Sequence, residues 1–139
     1  MNPTRLPMPV PTNTEGWDDL EDDELLSVVG TSYRSDAFAD LNNRGVIERV
    51  PGPEHFTVNL VPEPENEHDP GAVAVYIGQV HVGYIARAQT DEVHRWLVNN
   101  RPFIIVPARV WTMYDGRWRA KIDVTLTTVY DPGMQEVHL

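Results

Sequence analysis

Apolar residues in this chain alternate with polar ones over short runs, which predicts strands more often than helices. HFTVNLVP (55–62) puts Phe56, Val58 and Leu60 on one face and Thr57, Asn59 and Val61 on the other. LLSVVGTSY (25–33) is an apolar strand interrupted at Gly30, where a bulge or a close backbone approach is expected. AVAVYI (72–77), a Gly78-Gln79 turn and VHVGYIA (80–86) predict one hairpin. FIIVPARVWTMY (103–114), Asp115-Gly116 and RWRAKIDVTLTTV (117–129) predict a second, on a type I′ turn signal.

Helical spacing occurs in two places. SDAFADLNNRG (35–45) fits a short helix or turn, with Ser35 as N-cap and Gly45 as its stop. TDEVHRWLVNN (90–100) places Val93, Trp96 and Leu97 at i, i+3 and i+4, with Thr90 as N-cap. Close-set strands with so little helix predict an all-β fold, with minor α, built as a small antiparallel barrel or sandwich. Tyr76, Val82, Ile104, Val110, Ile122 and Val124 are expected on one closed or nearly closed sheet, with Trp96 packed beneath it.

The chain's 139 residues allow one domain and a tail. Residues 1–24 carry prolines at 3, 7, 9 and 11 and then GWDDLEDDE, so we expect a poorly packed acidic leader. Trp17, Leu20, Leu25 and Leu26 among these acids also read as a peptide able to dock on a basic surface. The folded domain is placed at 25–130 and a C-terminal tail at 131–139. The first residues have no continuous apolar core and no run reaches the length of a membrane helix, which gives the expectation of a cytoplasmic protein without membrane contact. With no Cys, thiolate metal sites and Cys nucleophiles are ruled out.

A net charge of −10 argues against nucleic acid, but its distribution softens the objection. Residues 1–24 hold seven acids and one base, and 48–69 hold six acids and one base. By contrast, 87–121 hold seven bases and three acids. The folded part is polarised, with a basic C-terminal portion.

Candidate chemistry centres on PENEHDPGAVAVY (64–76). Glu63, Glu65, Glu67 and Asp69 alternate like calcium ligands, but the twelfth position counted from each is Ala74, Tyr76, Gly78 or Val80, never Glu. His68 and His81 could meet across the sheet, without an obvious third zinc ligand. No catalytic motif of the nucleophile-elbow, phosphate-loop, dinucleotide or zincin type occurs, so neither cofactor nor enzymatic activity is expected. Asn66 and Asp69 can bond nearby backbone N–H groups as Asx turns, with Pro70-Gly71 supplying the bend. That leaves Tyr33-Arg34, Tyr84 and Arg87 at the ends of neighbouring strands, where a small ligand site often forms.

Val28-Val29-Gly30, then EPENEHDPGAVAVY (63–76), then VGYIARA (82–88) before a helix, resemble the HIRAN domain over residues 26–127. That module occurs in Swi/Snf-type helicase-like ATPases and as separate bacterial proteins. The resemblance implies an OB-like, six-stranded antiparallel barrel with one or two short helices. It also implies binding of single-stranded DNA at its 3′-hydroxyl end, linked to repair or replication-fork processing. Carried over by motif, Asp69 accepts from the terminal hydroxyl, beside Asn66, with His68 at an otherwise aromatic position. Tyr33 stacks a base with Arg34 nearby, Tyr84 and Arg87 make ring and phosphate contacts, and Trp118 supplies another ring. Any ATPase or nuclease activity would belong to a partner, such as a helicase. The other reading is an acidic protein-interaction adaptor that has lost DNA binding.

Overall fold

Six strands form one closed antiparallel sheet in the computed structural model, which describes residues 5–98 and 101–138. They are β1 (Leu25–Val29), β2 (Glu54–Pro62), β3 (Val73–Ile77), β4 (Val80–Ile85), β5 (Ile104–Tyr114) and β6 (Trp118–Thr125). Around the barrel the order is β2-β3-β4-β1-β6-β5, and β5 pairs back onto β2 from Glu54↔Val110 to Leu60↔Ile104. The residues expected on a closed sheet lie on these strands. Leu26, Val58, Val75, Val82, Val106 and Ile122 meet inside it as core. A small hairpin, β7 (Val129–Tyr130) and β8 (Glu136–Val137), joins through Ile105↔Tyr130 and so orders part of the C-terminal segment.

Helices α1 (Ser35–Asn43) and α2 (Thr90–His94) cover the barrel, and their caps differ from expectation. Ser35 is the first helical residue of α1, and its Oγ accepts from the Trp118 N–H at 2.8 Å, tying α1 to β6. The Thr90 hydroxyl donates to the Arg87 carbonyl at 3.1 Å instead of capping α2. The helix is shorter than the expected 90–100. Beyond it, i→i+3 bonds lead to Leu97, with Trp96 half-buried against the core. Asn99 and Asn100 lie outside the described residues.

The second hairpin also closes differently. Tyr114↔Trp118 is its last pair, so residues 115–117 form a longer loop with Gly116 alone at positive φ, 97°. A type I′ turn needs positive φ at two successive residues, and Asp115 does not adopt it.

The leader is the largest departure. Residues 5–24 lie on the barrel, with Leu6 and Trp17 buried. Thr57 and Asn59 explain why, because they sit on the outer face of β2 and need polar partners once covered. The Thr57 hydroxyl accepts from the Val10 N–H at 3.0 Å, the Thr57 N–H donates to the Val10 carbonyl at 3.0 Å, and the Asn59 amide donates to the Pro7 carbonyl at 3.0 Å. Proline lacks a donor only on its own nitrogen, so alternate residues still bond to the sheet. Trp17 packs edge-on to His55 at 5.5 Å between ring centroids, with the Arg109 guanidinium 5.2 Å from its own ring. Residues 1–4 lie outside the described residues.

A close approach does occur, at Gly83 on β4, although it was expected at Gly30. A Cβ on Gly83 would sit 2.6 Å from the Val29 carbonyl oxygen and 2.8 Å from a Val28 methyl. The neighbouring register steps from Val75↔Gly83 to Tyr76↔His81, leaving Val82 as a bulge. Gly30 ends β1 instead, at φ 83°, and opens the turn Thr31–Tyr33. Gly83→Ala should therefore push β1 off β4 and cost about 2–3 kcal/mol, as overpacked sites do. Urea unfolding should show a lower midpoint, and an unchanged midpoint would refute this contact.

Candidate functional site

The segment between β2 and β3 is held by its own polar side chains. Asn66 Oδ1 accepts from the N–H groups of His68 (2.9 Å) and Asp69 (3.0 Å), and Asp69 Oδ1 accepts from the Gly71 N–H at 2.9 Å. These are the Asx turns expected of this sequence. Two further contacts tie the loop to the fold. Glu63 Oε1 accepts from Asn66 Nδ2 at 2.9 Å and from the Tyr84 hydroxyl at 3.0 Å, while a His94 ring nitrogen lies 2.9 Å from the Gly71 carbonyl.

This bracing frames an open groove of about 330 Å³, within the roughly 300–1,000 Å³ of small-ligand sites. Asn66, His68, Asp69, Tyr84 and Arg87 line it, together with Val29. Asp69 Oδ2 is 3.7 Å from Arg87 Nε, too far for a hydrogen bond, and the arginine is 84% exposed. One carboxylate oxygen thus serves the loop, and the other lies beside an exposed cation that also lines the groove. Arg34 lies at the rim, its guanidinium 5.9 Å from the Tyr84 ring centroid. Its neighbour Tyr33 is 91% exposed and stands outside the groove lining.

Trp118 is different. It is 4% exposed and packs under Tyr114, 5.5 Å between ring centroids, with Arg49 5.4 Å from its ring. It belongs to the core and offers no free face to a base, which corrects its expected role. Glu63 entered the sequence reading only as one of four alternating acids weighed as calcium ligands. Glu65 and Glu67 are exposed, whereas Glu63 links Asn66 to Tyr84.

Aromatic rings continue behind the groove. His81 stacks on Tyr76 and meets Tyr84 edge-on, each 4.9 Å between centroids, and its Nε2 lies 2.9 Å from the Gly83 carbonyl. Burial, helped by Arg34, pushes the His81 pKa below the usual value, against the opposing Gly83 bond and Glu63. The neutral ring then donates Nε2–H to Gly83. Burial and then the Glu63 bond push the Tyr84 hydroxyl upward, which keeps it a donor.

Residues 25–129 match the family described as the HIRAN domain. The chain belongs to the HIRAN domain family. HIRAN domains are a family of DNA-binding modules. A crystal structure of a protein from Lactobacillus plantarum is similar at 21% identity, over 73% of this chain and 92% of that one, with a TM-score of 0.41. No curated protein matches the chain. Among the described residues, no helix is long and apolar enough to cross a membrane.

The His81 shift carries a pH dependence. The unfolded chain protonates this ring near 6.5 and the folded chain only at lower pH, so unfolding is favoured as pH falls below 6.5 and unaffected by this group above it. His55 is shifted the same way, first by burial and then by Arg109. Urea unfolding of wild type and His81→Gln across this range should show a smaller acid-side loss of stability in the variant. Parallel curves would contradict the assignment.

Proposed function

We propose that this HIRAN domain captures the 3′-hydroxyl end of single-stranded DNA in the Asp69 groove. The observation that carries the reading is Asp69 itself. Its Oδ1 is committed to Gly71, and its Oδ2 faces the groove with lone pairs open to a hydroxyl donor. A terminal hydroxyl donates to such an oxygen, whereas a terminal phosphate is repelled by it. Arg87, 84% exposed, can turn from Asp69 to the adjoining phosphate, and Arg34 lies close enough to serve the next. The free ring of Tyr33 is a stacking surface for a base, worth about 1–3 kcal/mol by the usual measure of base–aromatic contacts.

A hydrogen bond to a charged group contributes about 1.5–3 kcal/mol, so a 3′-hydroxyl strand should bind at least about tenfold more tightly than its 3′-phosphate counterpart. Asp69→Asn keeps an acceptor for Gly71 and removes the charge, so it should lose most of that discrimination with the fold intact. Tyr33→Ala should weaken every single strand alike. Arg87→Ala should make the salt dependence shallower by about 0.7 for one lost phosphate contact. Fluorescence anisotropy with end-labelled oligonucleotides reads all three. Equal binding of both ends by wild type, or no binding at low salt, would reject end capture and favour the adaptor reading.

A further inference from the structure

The groove opens onto a basic surface that the site above does not use. Residues paired across neighbouring strands share a face, and every second residue along a strand returns to it. Val29 pairs with Tyr84 and Ser27 with Asp123, so these lie on one outward face. Further along β6 that face carries Lys121 and Arg119, whose partners on β5 are Trp111 and Met113. Val29 is 48% exposed and Met113 57%, so apolar surface lies open at both ends of it.

The cations on this face are held but not consumed. Lys121 Nζ lies 4.9 Å and the Arg109 guanidinium 4.6 Å from the Trp111 ring centroid. Arg109 is matched by Asp123 at 3.2 Å, but Lys121 and Arg117 form no ion pair among the described residues. Arg119 meets Asp115 at 3.0 Å with both side chains open to solvent, a pairing weak enough to exchange for another anion. The hairpin is also fastened beside the stacking tyrosine. Arg117 Nη2 donates to the Ser32 carbonyl at 3.0 Å, and the Thr31 hydroxyl to the Ala120 carbonyl at 2.9 Å.

We propose that a single strand with its 3′ end at Asp69 continues past Tyr33 onto the β5–β6 hairpin, where Arg117, Arg119 and Lys121 hold its 5′-ward phosphates. The proposal rests on the end-capture reading and extends it. The occupant is a continuous polyanion because three available cations follow one another along β6 and its turn, with exposed Val29 and Met113 at the ends of the face for bases. The described part of the acidic leader makes its contacts elsewhere, along β2 and with Arg109.

The test uses 3′-hydroxyl strands of about 3 and about 12 nucleotides, bracketing much of the roughly 4–16 nucleotide range of OB-type folds. Wild type should bind the long strand at least about tenfold more tightly than the short one. The full-length triple variant Arg117→Ala, Arg119→Ala, Lys121→Ala should lose that advantage, with a salt slope shallower by about 2 for three contacts at about 0.7 each. Short-strand affinity is read on Arg119→Ala with Lys121→Ala, which keeps the Arg117–Ser32 bond beside Tyr33 and should match wild type. Arg119→Gln with Lys121→Gln keeps the side-chain stems and should give the same direction if the triple variant melts early. Equal wild-type affinity for both lengths, or a stable variant that binds long strands like wild type, overturns the proposal even where hydroxyl preference survives. A length effect lost in the variant but identical for 3′-hydroxyl and 3′-phosphate strands supports the hairpin contacts and rejects end capture. Loss of binding to polyglutamate alone, with DNA binding intact, identifies an acidic-peptide surface and overturns the proposal.

Discussion

The structure turns on how closely β1 passes β4 at Gly83. With no Cβ there, the Val29 carbonyl comes to a position only 2.6 Å from where one would stand. This lets β1 pair with β4 at Val28↔Ile85 and Val29↔Tyr84 while its earlier residues pair with β6. Gly30 then turns the chain away through Thr31–Tyr33, and Arg34 emerges beside Tyr84. A bulkier residue at 83 would separate the two strands that form one wall of the groove. The groove is therefore a consequence of barrel geometry at one crossing, and the Asn66–Gly71 loop supplies the other wall.

Electrostatics then decides what that groove can hold. The chain carries −10 overall, which works against binding a polyanion at long range. Locally the balance is different, because Glu63 is engaged by Asn66 and Tyr84 while Arg87 and Arg34 stand at the rim. Binding of this kind is expected to fade steeply with salt, since the favourable charges are few and exposed. In the proposed capture, recognition of the strand end would rest on short-range hydrogen bonding, which salt screens less than phosphate contacts.

Much of the fold was legible in one dimension. Alternation over 55–62, and apolar runs at 72–77, 80–86 and 103–114 bounded by turn signals, predicted the strands. The Asx turns around Asn66 and Asp69 were legible too, since they depend only on neighbours. Trp118 was misread even though the signal was present: it shares its phase with Ile122 and Val124, which points it inward. Glu63 could not be told from Glu65 and Glu67, because only folding brings Tyr84 to it. The leader misled through composition. Its prolines and acids predict poor packing, but Leu6, Val10 and Trp17 meet a β2 face whose need for partners appears only once β2 is placed.

The central claim is that the Asp69 loop recognises a hydroxyl at the strand end. Backbone amide NMR shifts with two strands of the same sequence test it most directly, one ending in a 3′-hydroxyl and the other lacking that oxygen. The account predicts that the amides of Asp69 and Gly71, which report on the carboxylate through the Gly71 bond, move with the hydroxyl strand and stay nearly still with the other. Tyr33 and Arg34 should respond to both. Identical shifts at Asp69 and Gly71 with the two strands would contradict it.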